Sequence, residues 1–295
     1  MTAAVPATDM WVGAPAPSVR PGRHRRTFIL AGRYLALLVA IAFALTPIYA
    51  AFVTSLTPFE RLGNRQIFPA DWHWQNYVAV WSRIPLAQYL ANSLLYSTAA
   101  ALLATASATL SGYALSRMAF PGKRSLVYLL LLTQVIPLIV LAMPLFRLSL
   151  RLGVFDSYAA LIVALIGISL AYPTFLMRSY FDSFPREIED AASVDGCSRR
   201  QTLWRVVLPS AGPGLLTAFA LVFFNTWQQF LLPMILTESR QRVPATVGIF
   251  RLTGDHVTPW ELVMAASLIA CLPPVIVYLL AQRFLEKGLT AGAVK

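Results

Sequence analysis

The chain has 295 residues, 57% of them hydrophobic and only 13% charged, where soluble domains carry about 25% charged residues. That composition, with a mean hydropathy of +0.63, excludes an ordinary water-soluble fold and points to a polytopic membrane protein. The formal net charge of +11 raises nucleic acid as a partner, which the placement of Lys and Arg excludes below.

Met1 to Pro21 is rich in Ala and Pro, has no apolar period and reads as disordered. With the basic run that follows, residues 1–29 form a basic cytoplasmic arm. Arg25-Arg26-Thr27-Phe28-Ile29 is similar to a twin-arginine export signal, but the next apolar run is too long for a signal peptide and lacks a small-residue cleavage site. It reads as a signal anchor.

A helix needs about twenty apolar residues to cross about 30 Å of hydrocarbon. Six charge-free runs meet that need: Leu35 to Pro58, Ile84 to Ser116, Ser125 to Phe146, Ser157 to Met177, Val206 to Thr237, and Leu262 to Gln282. The runs are continuously apolar, whereas a transmembrane β-barrel needs segments of about ten alternating residues. Residues 30–295 therefore read as one all-α domain of six transmembrane helices. The second and fifth runs exceed thirty residues, so each is expected to begin or end in an interfacial or re-entrant piece.

Between the first two runs, Phe59 to Arg83 is the largest external loop and carries Trp72, Trp74, Tyr77 and Trp81. These aromatics suit an interfacial belt, and also a contact with a partner or a sugar. Prolines within or at the ends of runs, among them Pro137, Pro173, Pro209, Pro213, Pro273 and Pro274, imply kinks whose freed carbonyls face neighbours or a watered cavity. The second run is dense in small residues, including Ala100, Ala101, Ala104, Ala108 and Gly112, as close helix packing requires.

No Asp, Glu, Lys, Arg or His falls in the middle of a run. Ion-coupled carriers and proton pumps place such groups inside the membrane, and intramembrane enzymes need a polar catalytic cluster. Gly122-Lys123 is followed by Arg124, so the chain also lacks a G-x-x-x-x-G-K-[ST] phosphate loop. Uphill transport by this chain would draw its energy from another polypeptide. Cys197 and Cys271 fall in different environments and imply neither a disulfide nor a metal site.

With both termini cytoplasmic, 16 of the 24 Lys and Arg fall on the cytoplasmic side. This excess follows the positive-inside rule without any polyanion, and nucleic acid is set aside. The same topology makes the loop from Arg178 to Pro209 cytoplasmic, with ten charged side chains between Arg178 and Arg205. Pro185 and the acids Glu187, Glu189 and Asp190 suit a helix start. Gly196 suits its end, and Ser198 with Gln201 forms a capping-box pattern for a second helix leading to Pro209. Phe184, Ile188, Ala191 and Ala192 are expected on one face of the first helix and the acids on another. So short a helix needs a groove to lie in. A local Arg186–Asp190 pair at i,i+4 would account for single charges but not for the arrangement.

Asp190-Ala191-Ala192, Gly196 and Val206-Val207-Leu208-Pro209 resemble the EAA loop of the integral permeases of bacterial ABC importers. That motif reads Glu-Ala-Ala, three residues, Gly, nine residues, then Ile-x-Leu-Pro, and the spacing matches throughout. Asp190 for Glu and Val206 for Ile are the departures. The resemblance implies a type I importer permease fold in the bacterial cytoplasmic membrane, and a loop at 178–209 acting as a coupling helix. Glu189, Asp190, Ala191, Ala192 and Gly196 would meet an ATPase subunit, with the carboxylates facing it. It implies a second permease, two ATPase subunits that hold ATP and Mg, and an extracytoplasmic solute-binding protein. This chain itself would bind no cofactor and catalyse no reaction.

Asn76-Tyr77, Phe120-Pro121-Gly122-Lys123 and the terminal Gly288 to Lys295 are similar to sugar-importer permeases related to the smaller maltose permease subunit. Those permeases often carry Asn after the Trp, where this chain has Gln228-Gln229. Gln134, Tyr172, Asn225, Trp227, Gln228 and Gln229 are the polar and aromatic groups within spans that would suit a sugar path; interhelical hydrogen bonding is the other use for each. A permease for a polyol, glycerol phosphate or peptide, and a non-transport membrane scaffold, remain alternatives.

Overall fold

A computed structural model describes residues 23–62, 68, 71–254 and 257–290. Residues 1–22 of the expected N-terminal arm lie outside the described residues. So do the last five residues of the C-terminal phrase. The described residues are helices and connecting segments, with no strand among them.

Thirteen helices carry the argument: α1 Arg23–Ser55, α2 Gln75–Arg83, α3 Leu86–Arg117, α4 Lys123–Val135, α5 Leu138–Arg151, α6 Tyr158–Ser169, α7 Ala171–Ser183 and α8 Arg186–Val194. After them come α9 Arg199–Ser210, α10 Gly212–Trp227, α11 Leu231–Leu236, α12 Ala245–Phe250 and α13 Trp260–Thr290. Contacts divide the chain at Ala50 and Ala51. The first unit is the exposed apolar stretch of α1, and the second holds everything that follows.

Among the described residues, three helices are long and apolar enough to span by themselves, over Gly32–Ser55, Leu86–Arg117 and Trp260–Gln282. The other three expected spans are bent pairs, α4 with α5 by 102°, α6 with α7 by 50°, and α9 with α10 by 75°. Each bend has a proline. Pro137 drives Ile136 into extended backbone at the first break. Pro173 lacks an N–H and crowds the carbonyl of Ser169 at the second, and Gly212-Pro213 opens α10 at the third. A π-helical stretch at Leu203–Val207 precedes Pro209 and absorbs that proline within α9.

The long second run does not end in a re-entrant piece. It has no proline between Leu86 and Arg117, and it forms one unbroken helix of 32 residues. The fifth run is broken, at Ala211 and again at Gln228–Phe230 before α11.

Helix α3 is the centre of the second unit and packs against α6, α7, α10 and α12. Its small residues make this possible, since Ala100, Ala101, Ala104 and Ala108 are fully buried. At Gly112 a Cβ would stand 2.8 Å from the Met177 Cβ and 2.9 Å from the Arg178 amide nitrogen. The backbones of α3 and α7 are therefore in contact, and only glycine fits. One end of this pair positions the charged loop.

Candidate coupling site and solute cavity

The loop folds as its residues dictate. Helix α8 starts after Pro185 with Glu187 and Glu189 in its first turn, where the helix dipole favours anions. It ends in a Schellman turn: Cys197 N–H donates to the Ala192 carbonyl at 3.0 Å and Gly196 N–H to Ser193 at 3.1 Å. Gly196 takes φ of +81° there, a conformation that glycine adopts without strain. Ser198 and Gln201 then form both halves of a capping box at the start of α9.

The helix presents different faces from those read in the sequence. Ala192 is buried and Glu189 largely so, while Ile188 is 42% and Val194 88% exposed, with Ala191 and Asp190 beside them. The inward face is thus Glu189 with Ala192, and the outward face mixes apolar residues with Asp190. The reason is a partner for Glu189 on α3.

Arg117 Nε donates to Glu189 Oε1 at 2.7 Å and Tyr113 O–H donates to Glu189 Oε2 at 2.9 Å. A second Arg117 nitrogen, Nη2, donates to the Phe184 carbonyl at 2.7 Å. The Arg117 and Glu189 side chains are only 9% and 15% exposed. One arginine therefore holds both the entry and the middle of α8. Glu189 points to α3 and not outward, and the local Arg186–Asp190 pair does not form among the described residues. The same end of α3 is fastened to α7 by Ser116 donating to Asp182 at 2.6 Å and by edge-to-face Tyr113 and Phe181. Leu203, Val207 and Ala211 pack beneath the loop with Met177 and Phe181.

Nothing in the sequence reading points to Tyr113 or Arg117. The available signal is their i,i+4 spacing at the expected cytoplasmic end of a span, on the same side of the membrane as the charged loop.

Gln134, Tyr172, Asn225 and Gln228, four of the six residues expected along a solute path, line one cavity of about 410 Å³. It lies where α6 breaks into α7, against α10. Two residues unforeseen from sequence line it as well: Phe224, and Ser169, whose buried hydroxyl has no partner among the described residues. No Asp, Glu, Lys, Arg or His contributes to its wall. Trp227 lies elsewhere, 9% exposed and stacked on Phe223 with ring centroids 5.6 Å apart. Gln229 uses its carbonyl to accept from Thr246.

At the other end of α3, neutral side chains hold the segment 238–245. Asn92 donates to the carbonyls of Gln241 and Val243 at 2.8 and 2.9 Å, Tyr96 to Arg242 at 2.9 Å, and Ser93 accepts from the Ala245 amide at 2.8 Å. Asp156 accepts from the amides of Glu238 and Ser239, and Arg242 pairs with its carboxylate. Burial alone would raise the Asp156 carboxyl, but these amides and Arg242 outweigh it and hold it below the ordinary value.

The model of the family described as binding-protein-dependent transport system inner membrane component matches residues 104–291. The chain is 33% identical over 278 residues to the inner membrane ABC transporter permease protein YcjP of Escherichia coli K12, covering 92% of this chain and 99% of that one. It is 31% identical to the trehalose transport system permease protein SugB of Mycobacterium tuberculosis, over 87% and 94% of the two chains. A chain in the crystal structure of a bacterial ABC transporter that imports the acidic polysaccharide alginate has the same fold, with a TM-score of 0.75, 24% identity, and 90% and 99% coverage. The EAA-like spacing, the bent spanning pairs and these matches agree, and the chain belongs to the family of binding-protein-dependent transport system inner membrane components, as a multi-pass permease subunit of an ABC importer.

Proposed function

We propose that this subunit forms half of the path for an uncharged sugar or oligosaccharide, and that α8 carries ATP-driven motion into α3. The observation behind the coupling role is the hold of Arg117 and Tyr113 on Glu189 and Phe184, because a push on α8 then reaches a helix that runs the whole bundle. Asp190, Ala191 and the outward Ile188 and Val194 would meet the ATPase, while Gly196 sets the turn that presents them. ATP and Mg would sit on two separate ATPase subunits. A second permease would complete the path, and an extracytoplasmic binding protein would deliver solute. Both termini would lie in the cytoplasm, as the positive-inside excess indicates.

The sugar assignment draws on the carboxamides, hydroxyl and aromatic rings of the cavity at Gln134, Ser169, Tyr172, Phe224, Asn225 and Gln228, which suit hydroxyl groups and a flat sugar ring. A trehalose permease stands among the relatives.

The test uses the complete transporter, purified with its partners through a tag on this chain and reconstituted in proteoliposomes. Glu189→Gln is expected to keep the ATPase bound and hydrolysing while sugar uptake falls at least about tenfold, the effect of losing roughly 1.4 kcal/mol of coupling. Asp190→Lys is expected to release the ATPase instead. Wild-type uptake by both assembled variants would end the coupling assignment, and uptake of glycerol phosphate but no sugar would end the substrate assignment.

A further inference from the structure

Between the end of α3 and the charged loop lies a cleft of about 590 Å³, a size that admits a small ligand. Arg186, Arg199 and Arg200 line it. Among the described residues, none of the three side chains forms an ion pair or hydrogen bond. The cleft also holds Arg117 with Glu189, which satisfy each other, and Asp190. Three free guanidinium groups therefore face one unpaired carboxylate.

The other wall is apolar. Leu110 lies on α3 and Met118 just past its end, 49% and 41% exposed, and Trp204 on α9 is 57% exposed. Tryptophan and arginine at the end of a span mark the depth of lipid headgroups, and a guanidinium binds phosphate oxygens in a fork. The cleft is thus cationic at one side and apolar at the other, as a phospholipid is anionic at one end and apolar beyond it.

We propose that this cleft binds a phosphate group, supplied by the headgroup of an anionic phospholipid whose chains lie along Leu110, Met118 and Trp204. A headgroup seated there would touch α3, α8 and α9 together and stabilise the loop in the arrangement that Glu189 and Arg117 set. The proposal needs the membrane placement of α3 but not the coupling role, and lipid retention can be read without transport.

The transporter is purified with its partners in neutral detergent and offered phosphatidylglycerol or phosphatidylcholine, with retained lipid counted by native mass spectrometry. Phosphatidylglycerol should stay on the wild type and phosphatidylcholine should not. Removing about fivefold in affinity per arginine, the pair Arg199→Gln and Arg200→Gln should weaken retention about twenty-five-fold. Arg205→Gln, in the same helix but outside the cleft, should leave retention unchanged, and Arg199→Lys with Arg200→Lys should restore most of it. Inorganic phosphate and glycerol 3-phosphate form the second arm. Displacement of lipid by either at low concentration would keep the phosphate site but assign it to a soluble source. Equal lipid retention by wild type and the glutamine pair would overturn the site. Loss of the ATPase subunits from the glutamine pair, with lipid retained, would overturn it too and give these arginines to the protein interface.

Discussion

At one end of α3, Tyr113 and Arg117 grip a side chain, Glu189; at the other, about 30 Å away at 1.5 Å per residue, Asn92 and Tyr96 grip backbone carbonyls at residues 241–243. The first hold depends on the identity of one residue and on a charge pair that is mostly out of water. The second reads only the backbone, so Glu238, Arg240 and Gln241 can change without loosening it. A side-chain grip transmits a specific element and is broken by a single substitution. A backbone grip fixes the course of a segment while leaving its outward surface free to vary.

The largest expected effect separates the two. Arg117→Leu leaves the Glu189 carboxylate buried with only a tyrosine, which costs about 3 to 5 kcal/mol. Hydrogen exchange across Arg186–Val194 should accelerate by at least about a hundredfold, while exchange at residues 238–245 stays at the wild-type rate. Adding Glu189→Leu removes the stranded charge and should recover most of the protection, since apolar replacement of both partners is nearly neutral. Failure of the second change to rescue the first would mean that the ion pair is not what holds α8.

Asn92→Leu should be the next largest. It takes the donor from two carbonyls and costs about 2 kcal/mol, so exchange should rise about thirtyfold in residues 238–245 and not at all in α8. Equal acceleration at both ends would break the comparison, because it would show that α3 communicates through one global unfolding.

The contrast also explains what the sequence reveals. Spans, their number, and the helix–glycine–helix order of the charged loop follow from local signals: apolar run length, the Gly196 turn and the Ser198–Gln201 box. The bends at Pro137, Pro173 and Pro213 were available as prolines, yet Pro47, Pro144, Pro273 and Pro274 sit inside helices that continue, so a proline alone does not decide. The facing of Glu189 could not be read, because its partners lie 72 and 76 residues away. Amphipathic periodicity alone sets the acid on a face away from Ala192, for lack of a visible cation. The cavity shows the same limit. Trp227 and Gln228 are neighbours in sequence, but the turn at the end of α10 buries one against Phe223 and leaves the other on the cavity wall.

The smallest effect tests the one charge pair at the backbone-held end. Asp156 adopts φ of +53°, a left-handed conformation that Asn tolerates as well as Asp, so Asp156→Asn removes the charge without straining the turn. Arg242 is 40% exposed, and water screening limits the pair to about 1 kcal/mol or less. The sign follows from the lowered carboxyl. Above its ordinary value of 3.8 the group is ionised in both folded and unfolded chains, and the full contribution is present. As pH falls below that value the unfolded chain takes up its proton first, and the contribution drains away until the folded group is protonated too. The gap in melting temperature between wild type and Asp156→Asn, measured in lipid nanodiscs, should therefore be constant from about pH 7 to pH 5 and close below about pH 4. A gap that widened on acidification would reverse the sign and show that Asp156 is held in its protonated form.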